Sequence, residues 1–133
     1  MSSVLLAVVN QYFMFVPSEL KGVFSLSINI KLFVPSTTEV NVENTDLQAF
    51  YERKALALFS DLFGGATSYG AVGAWSSVTA GLVTEKVQIV ESFASTEAVA
   101  AGFVQVLALA QEMKQAMSQE AIALQYQNVM YFI

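Results

Sequence analysis

The sequence predicts an α+β domain of the ferredoxin-like type, in which an antiparallel sheet carries two helices on one face. Two observations indicate this fold. In two segments the apolar residues recur at three- and four-residue steps, as in amphipathic helices, and in the segments around them apolar and polar residues alternate, as in half-buried strands. The segments follow one another in the order β-α-β-β-α-β, with a hairpin between the two helices, which is the split βαβ arrangement.

Residues 1–22 are predicted to form an apolar arm, and residues 23–133 a single domain. Residues 4–16 are rich in Val, Tyr and Phe and favour an extra strand, although several of them could also line one side of a helix. The run is interrupted by Asn10 and Gln11 and is shorter than the ~20 residues of a membrane-spanning helix. It also lacks the preceding positive charge and the cleavage site of a signal peptide, so we expect a cytoplasmic chain.

Residues 23–34 have the clearest strand pattern in the chain, and Pro35 ends it. The residues predicted to face the core are Phe24, Leu26, Ile28, Ile30 and Leu32, and those predicted to face outward are Ser25, Ser27, Asn29 and Lys31. Residues 37–44 are polar and are predicted to form a loop that tolerates insertions.

Both predicted helices have recognisable ends. Thr45 and Gln48 match a capping box, which places the start of the first helix at Thr45, and Gly64-Gly65 supplies its C-terminal stop. The second helix is predicted to begin with a cap at Ser95 or Thr96. Their apolar stripes are expected to pack on the same face of the sheet.

Residues 71–77 and 82–93 are predicted to be the two strands of the hairpin, and residues 121–126 the last strand. Glu85 interrupts an otherwise apolar set of alternating residues, so we place it on the buried side of its strand. The residues then predicted to lie on the open face are Thr84, Lys86 and Gln88. Residues 129–133 are apolar and are not expected to extend into water.

The composition narrows the range of functions. Of the 133 residues, 55% are hydrophobic and only 13% are charged, which is more apolar surface than a small domain readily buries; we therefore predict a homo-oligomer.

A net charge of −5 with scattered basic residues argues against nucleic-acid binding. Because the chain has no histidine and no cysteine, the usual zinc sites, serine–histidine triads and thiol chemistry are excluded. We predict no cofactor, no metal and no membrane association.

Five of the seven glycines and the only tryptophan lie between Phe63 and Glu85. Glycines clustered between a helix and a strand indicate a shaped loop. Residues 64–67 could be a phosphate-binding loop, but they lack the Lys-Ser/Thr pair of a P-loop and follow a helix instead of opening one. We therefore interpret them as the end of a helix followed by a turn.

Four short motifs extend this stretch toward the C-terminus. They are Phe63-Gly64-Gly65-x-Thr67, Gly73-x-Trp75, Gly81-x-x-x-Glu85 and Gln119-Glu120-x-Ile122. With this pattern the chain, over roughly residues 28–126, resembles a family of small bacterial and phage proteins of unknown function. The resemblance implies the fold and the grouping of these residues, but no activity. The chain departs from the family pattern after Trp75, where Ser76 and Ser77 follow.

The candidate ligand-binding residues are Thr67, Trp75, Glu85, Gln119 and Glu120. Trp75 could stack on a ring, although an indole is more often a packing anchor. A lone carboxylate on an apolar strand face is costly unless it is hydrogen-bonded. Glu85 could therefore be a general base or a ligand contact, but we favour a strand-end residue that accepts a hydrogen bond from a backbone N–H of the glycine turn.

An antiparallel sheet could bring Gln119 and Glu120 near Glu85, and two carboxylates at a suitable distance would serve acid–base catalysis. No residue is assigned as catalytic, because the sequence does not fix that distance.

These observations lead to three functional hypotheses. The main one is a non-enzymatic interaction or small-ligand-binding protein that acts as a homo-oligomer. The second is a small enzyme or nucleotide-handling protein with its site around Glu85, although the missing residue types make an enzyme the less favoured class. The third, suggested by the resemblance, is a phage-type antagonist of host defence that sequesters a partner or a signal molecule.

Overall fold

The computed structural model describes residues 15–39 and 42–133. Most of the predicted N-terminal arm, including the strand or helix expected within residues 4–16, lies outside the described residues. Residues 15–22 are exposed and contain a single 3-10 turn, Ser18–Leu20. No helix in these described ranges is both long and apolar enough to cross a membrane.

In the described part of the chain, one five-stranded sheet and two long helices form the fold. The elements are β1 (Ile28–Pro35), α1 (Thr45–Phe63), β2 (Thr67–Ser77), β3 (Gly81–Ala94), α2 (Thr96–Ala116), β4 (Ala123–Tyr126) and β5 (Val129–Phe132). The strand order is β2-β3-β1-β4-β5, and every neighbouring pair is antiparallel. The predicted α+β fold is confirmed, with the apolar C-terminus adding β5 at the edge beside β4.

Short-range hydrogen bonds fix the ends of both helices. The side chain of Asn44 accepts a hydrogen bond from the Leu47 N–H at 3.0 Å, so the first cap lies one residue before the predicted Thr45. Gly64 adopts the left-handed conformation, with φ of 92°, and ends α1 as predicted. Of the two predicted caps for the second helix, Ser95 is the one that accepts, from the Ala98 N–H at 3.1 Å.

The core lies between the helices and one face of the sheet. The largest side chains that are almost fully buried there are Phe59, Ile30, Leu32, Met113, Met117, Ile122 and Leu124. The helices approach closely at Gly102, where an added Cβ would lie 2.6 Å from the Cδ2 of Leu62. A glycine at this position therefore lets α1 and α2 pack on the same face of the sheet, as predicted.

The register of β1 with β3 corrects the predicted start of the first strand. Ile28 pairs with Ala94, the last residue of β3, so residues 23–27 have no strand partner among the described residues. Phe24, predicted to be a core residue, is therefore 85% exposed. Apolar and polar residues also alternate in residues 23–27. Because these residues pair with no strand among the described residues, the alternation there does not identify side chains that pack under the helices.

The register also corrects the assignment of faces in β3. Val34, a core residue, pairs with Gln88, so both side chains lie on the face that carries the helices. Because side chains alternate along a strand, Lys86 and Thr84 lie on that face as well, and Glu85 lies on the opposite face. The prediction that Glu85 lies on the buried side was wrong. Near Glu85 the hairpin makes few contacts with the core, as the 72% exposure of Leu82 shows. An alternating set of apolar residues in this part of the hairpin therefore does not identify the face that packs on the core.

Truncation of Phe59 tests the position of the core. Phe59 is fully buried and packs edge-to-face against Phe63, with ring centroids 5.5 Å apart. We expect Phe59→Ala to lower the free energy of unfolding by about 3–5 kcal/mol, because it removes buried surface and leaves a cavity. Urea unfolding followed by circular dichroism measures this. Val104→Ala, at a position that is 71% exposed, is the control and should change the value by less than about 0.5 kcal/mol.

Candidate functional site

Glu85 is held at the point where β1 ends. One of its carboxylate oxygens, Oε1, accepts hydrogen bonds from the Ser36 N–H at 3.1 Å and from the Thr37 hydroxyl at 2.8 Å. The favoured interpretation, a strand residue bonded to a backbone N–H, is correct in kind. The N–H belongs to Ser36, however, and not to the glycine turn.

The end of β1 is itself fixed from the helix side. Gln48, buried near the start of α1, donates a hydrogen bond from Nε2 to the Val34 carbonyl at 3.1 Å. Val34 and Ser36 are both buried, so the strand leaves the core in a defined direction. The donors to Glu85 thus come from a segment that the core holds in place.

A second loop meets this segment between α2 and β4. Nε2 of Gln119 donates to the Thr37 carbonyl at 2.9 Å and to the Met117 carbonyl at 3.0 Å. The Glu39 N–H also donates to the Met117 carbonyl, at 3.2 Å. The first residues of the loop predicted to tolerate insertions are therefore hydrogen-bonded to the loop that follows α2.

These loops and the hairpin enclose a cavity of about 290 Å³, which we call the Glu85 cavity. It is lined by Thr37, Glu39, Trp75, Thr84, Glu85, Ser118, Gln119, Glu120 and Ala121. A second cavity of about 410 Å³ shares Thr37, Thr84 and Glu85 with the first.

Four of the five residues singled out from the sequence lie together here. Trp75, Glu85, Gln119 and Glu120 all line the Glu85 cavity, whereas Thr67 lines a different cleft beside the glycine turn. Thr67 pairs with Glu91, six residues along β3 from Glu85, which corresponds to about 20 Å. The glycine turn and the Glu85 cavity are therefore separate places in the fold.

Sequence reasoning missed Thr37 and Glu39, which bring a hydroxyl and a third carboxylate to the cavity. Both lie in a polar segment after a strand, and such segments are usually solvated loops. The only indication in the sequence was that both residues closely follow Pro35-Ser36, where the first strand was predicted to end. Polar residues after a strand are too common for this position to predict a contact with Glu85.

The charge of the Glu85 cavity is one-sided. Glu39, Glu85 and Glu120 line it, and no lysine or arginine is among its described lining residues. Within residues 15–39 and 42–133, no three acidic groups are close enough together to hold a metal ion. The three carboxylates make this cavity acidic, and the indole of Trp75, 46% exposed, adds a flat apolar surface.

Two carboxylates elsewhere in the described chain are paired with cations. Lys54 donates to both oxygens of Glu112, at 2.7 and 3.0 Å, and this hydrogen bond holds the pKa of the Glu112 carboxyl below its ordinary value. Glu91 lies 3.8 Å from the ammonium of Lys31. Within the described residues, none of the three carboxylates of the Glu85 cavity forms a salt bridge. Their charge is therefore available to a bound cation.

The hydrogen bonds at Glu85 predict the exchange behaviour of one amide. We expect Glu85→Ala to raise hydrogen exchange at the Ser36 amide about 10-fold or more, because that amide loses a charged acceptor. Exchange measured by NMR checks this. Glu43→Ala is the matched control, since it removes an exposed carboxylate beside the same strand end and should leave the Ser36 amide unchanged. Equal exchange in both variants would show that Glu85 does not hold this segment.

No protein-family model matches the chain, and no curated protein sequence matches it either. Two solved structures are similar in fold. A phage SAM lyase in complex with S-methyl-5'-thioadenosine is 17% identical, with a TM-score of 0.58 over 84% of this chain and 94% of that chain. A phage SAM lyase in the apo state is also 17% identical, with a TM-score of 0.58 over 91% of this chain and 95% of that chain.

At this identity the similarity shows the fold. It also corrects the main functional hypothesis from the sequence, because both structural neighbours are lyases and therefore enzymes. The interpretation as a non-enzymatic interaction protein was wrong.

Proposed function

We propose that this protein is an enzyme that cleaves a carbon–sulfur bond of S-adenosylmethionine (SAM), with the substrate bound in the Glu85 cavity. The observation that supports this most strongly is the set of three unpaired carboxylates and one tryptophan around a single cavity, in a fold shared with phage SAM lyase. The proposal combines two of the sequence-based alternatives, a small enzyme around Glu85 and a phage-type antagonist.

The substrate matches the cavity in charge and shape. SAM carries a sulfonium, an ammonium and one carboxylate, so it is a net cation, and the cavity presents three carboxylates with no cation among its described lining residues. Its adenine ring is a flat apolar group of the kind that packs on an exposed indole such as Trp75. The second cavity that shares Glu85, about 410 Å³, is in the size range of small-molecule sites, and its charged lining residues are Glu43, Glu85 and Lys86.

The reaction requires little from the protein. The electron pair of the broken bond goes to sulfur, which becomes the neutral thioether of S-methyl-5'-thioadenosine. The four-carbon amino-acid fragment completes its valence by losing a proton or by closing on its own carboxylate. A neutral leaving group and an intramolecular step need orientation more than they need a histidine or a cysteine.

A carboxylate next to the sulfonium would stabilise the substrate more than the transition state, because the positive charge on sulfur disappears as the bond breaks. We therefore assign the fixed carboxylate, Glu85, to the ammonium end of the substrate. Its Oε1 is occupied by Ser36 and Thr37, while Oε2 has no hydrogen-bond partner among the described residues. The exposed carboxylates of Glu39 and Glu120 contribute to attraction of the cation.

The activity is tested by incubating the purified protein with SAM and measuring S-methyl-5'-thioadenosine by liquid chromatography and mass spectrometry. We expect Glu85→Gln to lower kcat/KM about 100-fold or more, because the substrate loses its orienting charge. Thr67→Ala, in the separate cleft, is the control and should keep full activity. The proposal fails if the unmodified protein neither binds nor cleaves SAM, or if Glu85→Gln is as active as the control.

The predicted homo-oligomer remains part of the proposal, and we assign its contact to the face of the sheet opposite the helices. Apolar side chains exposed on that face include Tyr69, Phe93, Met130 and Phe132. Asn29, Lys31, Glu91 and Gln125 lie among them on the same face, so the proposed contact between copies combines exposed apolar side chains with polar ones.

We expect Phe93→Ser to weaken self-association, because it places a polar group at a position that is 52% exposed on this face. Val104→Ser, equally polar but on the outer surface of α2, is the matched control. Light scattering at micromolar concentration compares the masses. A monomeric unmodified protein, or equal masses for both variants and the unmodified protein, would contradict the assignment.

A further inference from the structure

Gln119 has a different role from the one its position in the cavity first suggests. Its amide nitrogen carries two hydrogens, and both have backbone acceptors, the carbonyls of Thr37 and Met117. Both donor hydrogens of Gln119 are therefore used within the protein, and only its carbonyl oxygen is left to face a ligand. The two donated bonds join the loop after β1 to the loop after α2.

Both joined loops contain a residue in an unfavourable backbone conformation. Glu39 has φ of 66° and Ser118 has φ of 51°, which is the left-handed region that side chains with a Cβ avoid. Such conformations persist only where surrounding contacts fix them, and they are concentrated at functional sites. The bonds from Gln119 and from the Glu39 N–H to Met117 are contacts of this kind.

The connection continues from Gln119 to Glu85 through one residue. Gln119 holds the carbonyl of Thr37 at 2.9 Å, and the hydroxyl of the same Thr37 donates to Glu85 at 2.8 Å. The neighbouring Ser36 N–H donates to the same carboxylate oxygen. Gln119 can thus influence the orientation of Glu85 without contacting it.

We propose that Gln119 is a positioning residue, which fixes Thr37 and through it the orientation of the Glu85 carboxylate. This inference rests on the proposed function for its catalytic consequence. It reassigns Gln119, predicted from the sequence as a ligand contact, to the support of a residue that contacts the ligand.

The first test replaces only the hydrogen-bond-donating amide nitrogen of the Gln119 side chain. Gln119→Glu keeps the size of the side chain but puts an oxygen against the carbonyls of Thr37 and Met117. We expect faster amide exchange at Ser36 and Glu39, and a kcat for SAM cleavage lower by about 10- to 100-fold with KM changed by less than about twofold, because misorientation acts on the chemical step. Gln115→Glu is the matched control for charge, at an exposed position of α2.

A double-mutant cycle with Thr37→Val then tests the route. Because part of the route from Gln119 to Glu85 is the Thr37 hydroxyl, the two substitutions should be non-additive, and Gln119→Glu should lower kcat by a smaller factor in the Thr37→Val background than in the unmodified protein. Additive effects would overturn the proposed route. Gln119→Ala, which adds no charge, should reproduce the loss in kcat.

The exchange measurement separates the two proposals. If the unmodified protein does not cleave SAM, the proposed function fails, but faster exchange at Ser36 and Glu39 in Gln119→Glu still supports the positioning of Glu85. Unchanged exchange at both amides, or a kcat equal to that of Gln115→Glu, overturns the role of Gln119.

Discussion

The antiparallel pairing of β1 with β3 determines both the core and the site. It runs from Ile28 opposite Ala94 to Pro35 opposite Val87, and it buries Ile30 and Leu32 completely under the helices. A slip of one residue would turn every core side chain of β1 to the open face, so this register is strongly specified. The same register ends the strand beside Glu85, where the next backbone N–H becomes its hydrogen-bond donor.

The Glu85 cavity lies where regular structure ends, which explains its polarity. Within the helices and sheet, the packed layers exclude water, and the described chain leaves no buried side-chain polar atom without a hydrogen bond. At the strand ends, Glu39 and Glu120 remain exposed while only Glu85 is partly enclosed. The structure thus combines one oriented carboxylate with two solvated ones, an arrangement suited to attracting a cation and then orienting it.

The main functional hypothesis from the sequence failed for a chemical reason. The absence of histidine and cysteine excludes particular mechanisms, but it does not exclude catalysis. In the reaction proposed above, the sulfonium already contains a good leaving group, so the proposed chemistry depends on orientation more than on a histidine or a cysteine. The proposal of this substrate class rests on the fold shared with phage SAM lyase and on the acidic lining of the Glu85 cavity.

The sequence by itself determined the fold class, both ends of α1 and the start of α2 to within a residue, and four of the residues that line the Glu85 cavity. These features depend on local patterns: periodicity for the helices and strands, capping residues such as Ser95, and an isolated carboxylate at Glu85. Tertiary structure alone decided which face Glu85 occupies, because that depends on the pairing of β3 with β1. It also decided that Gln119 bonds to Thr37, 82 residues away, since no local pattern encodes a contact between two loops.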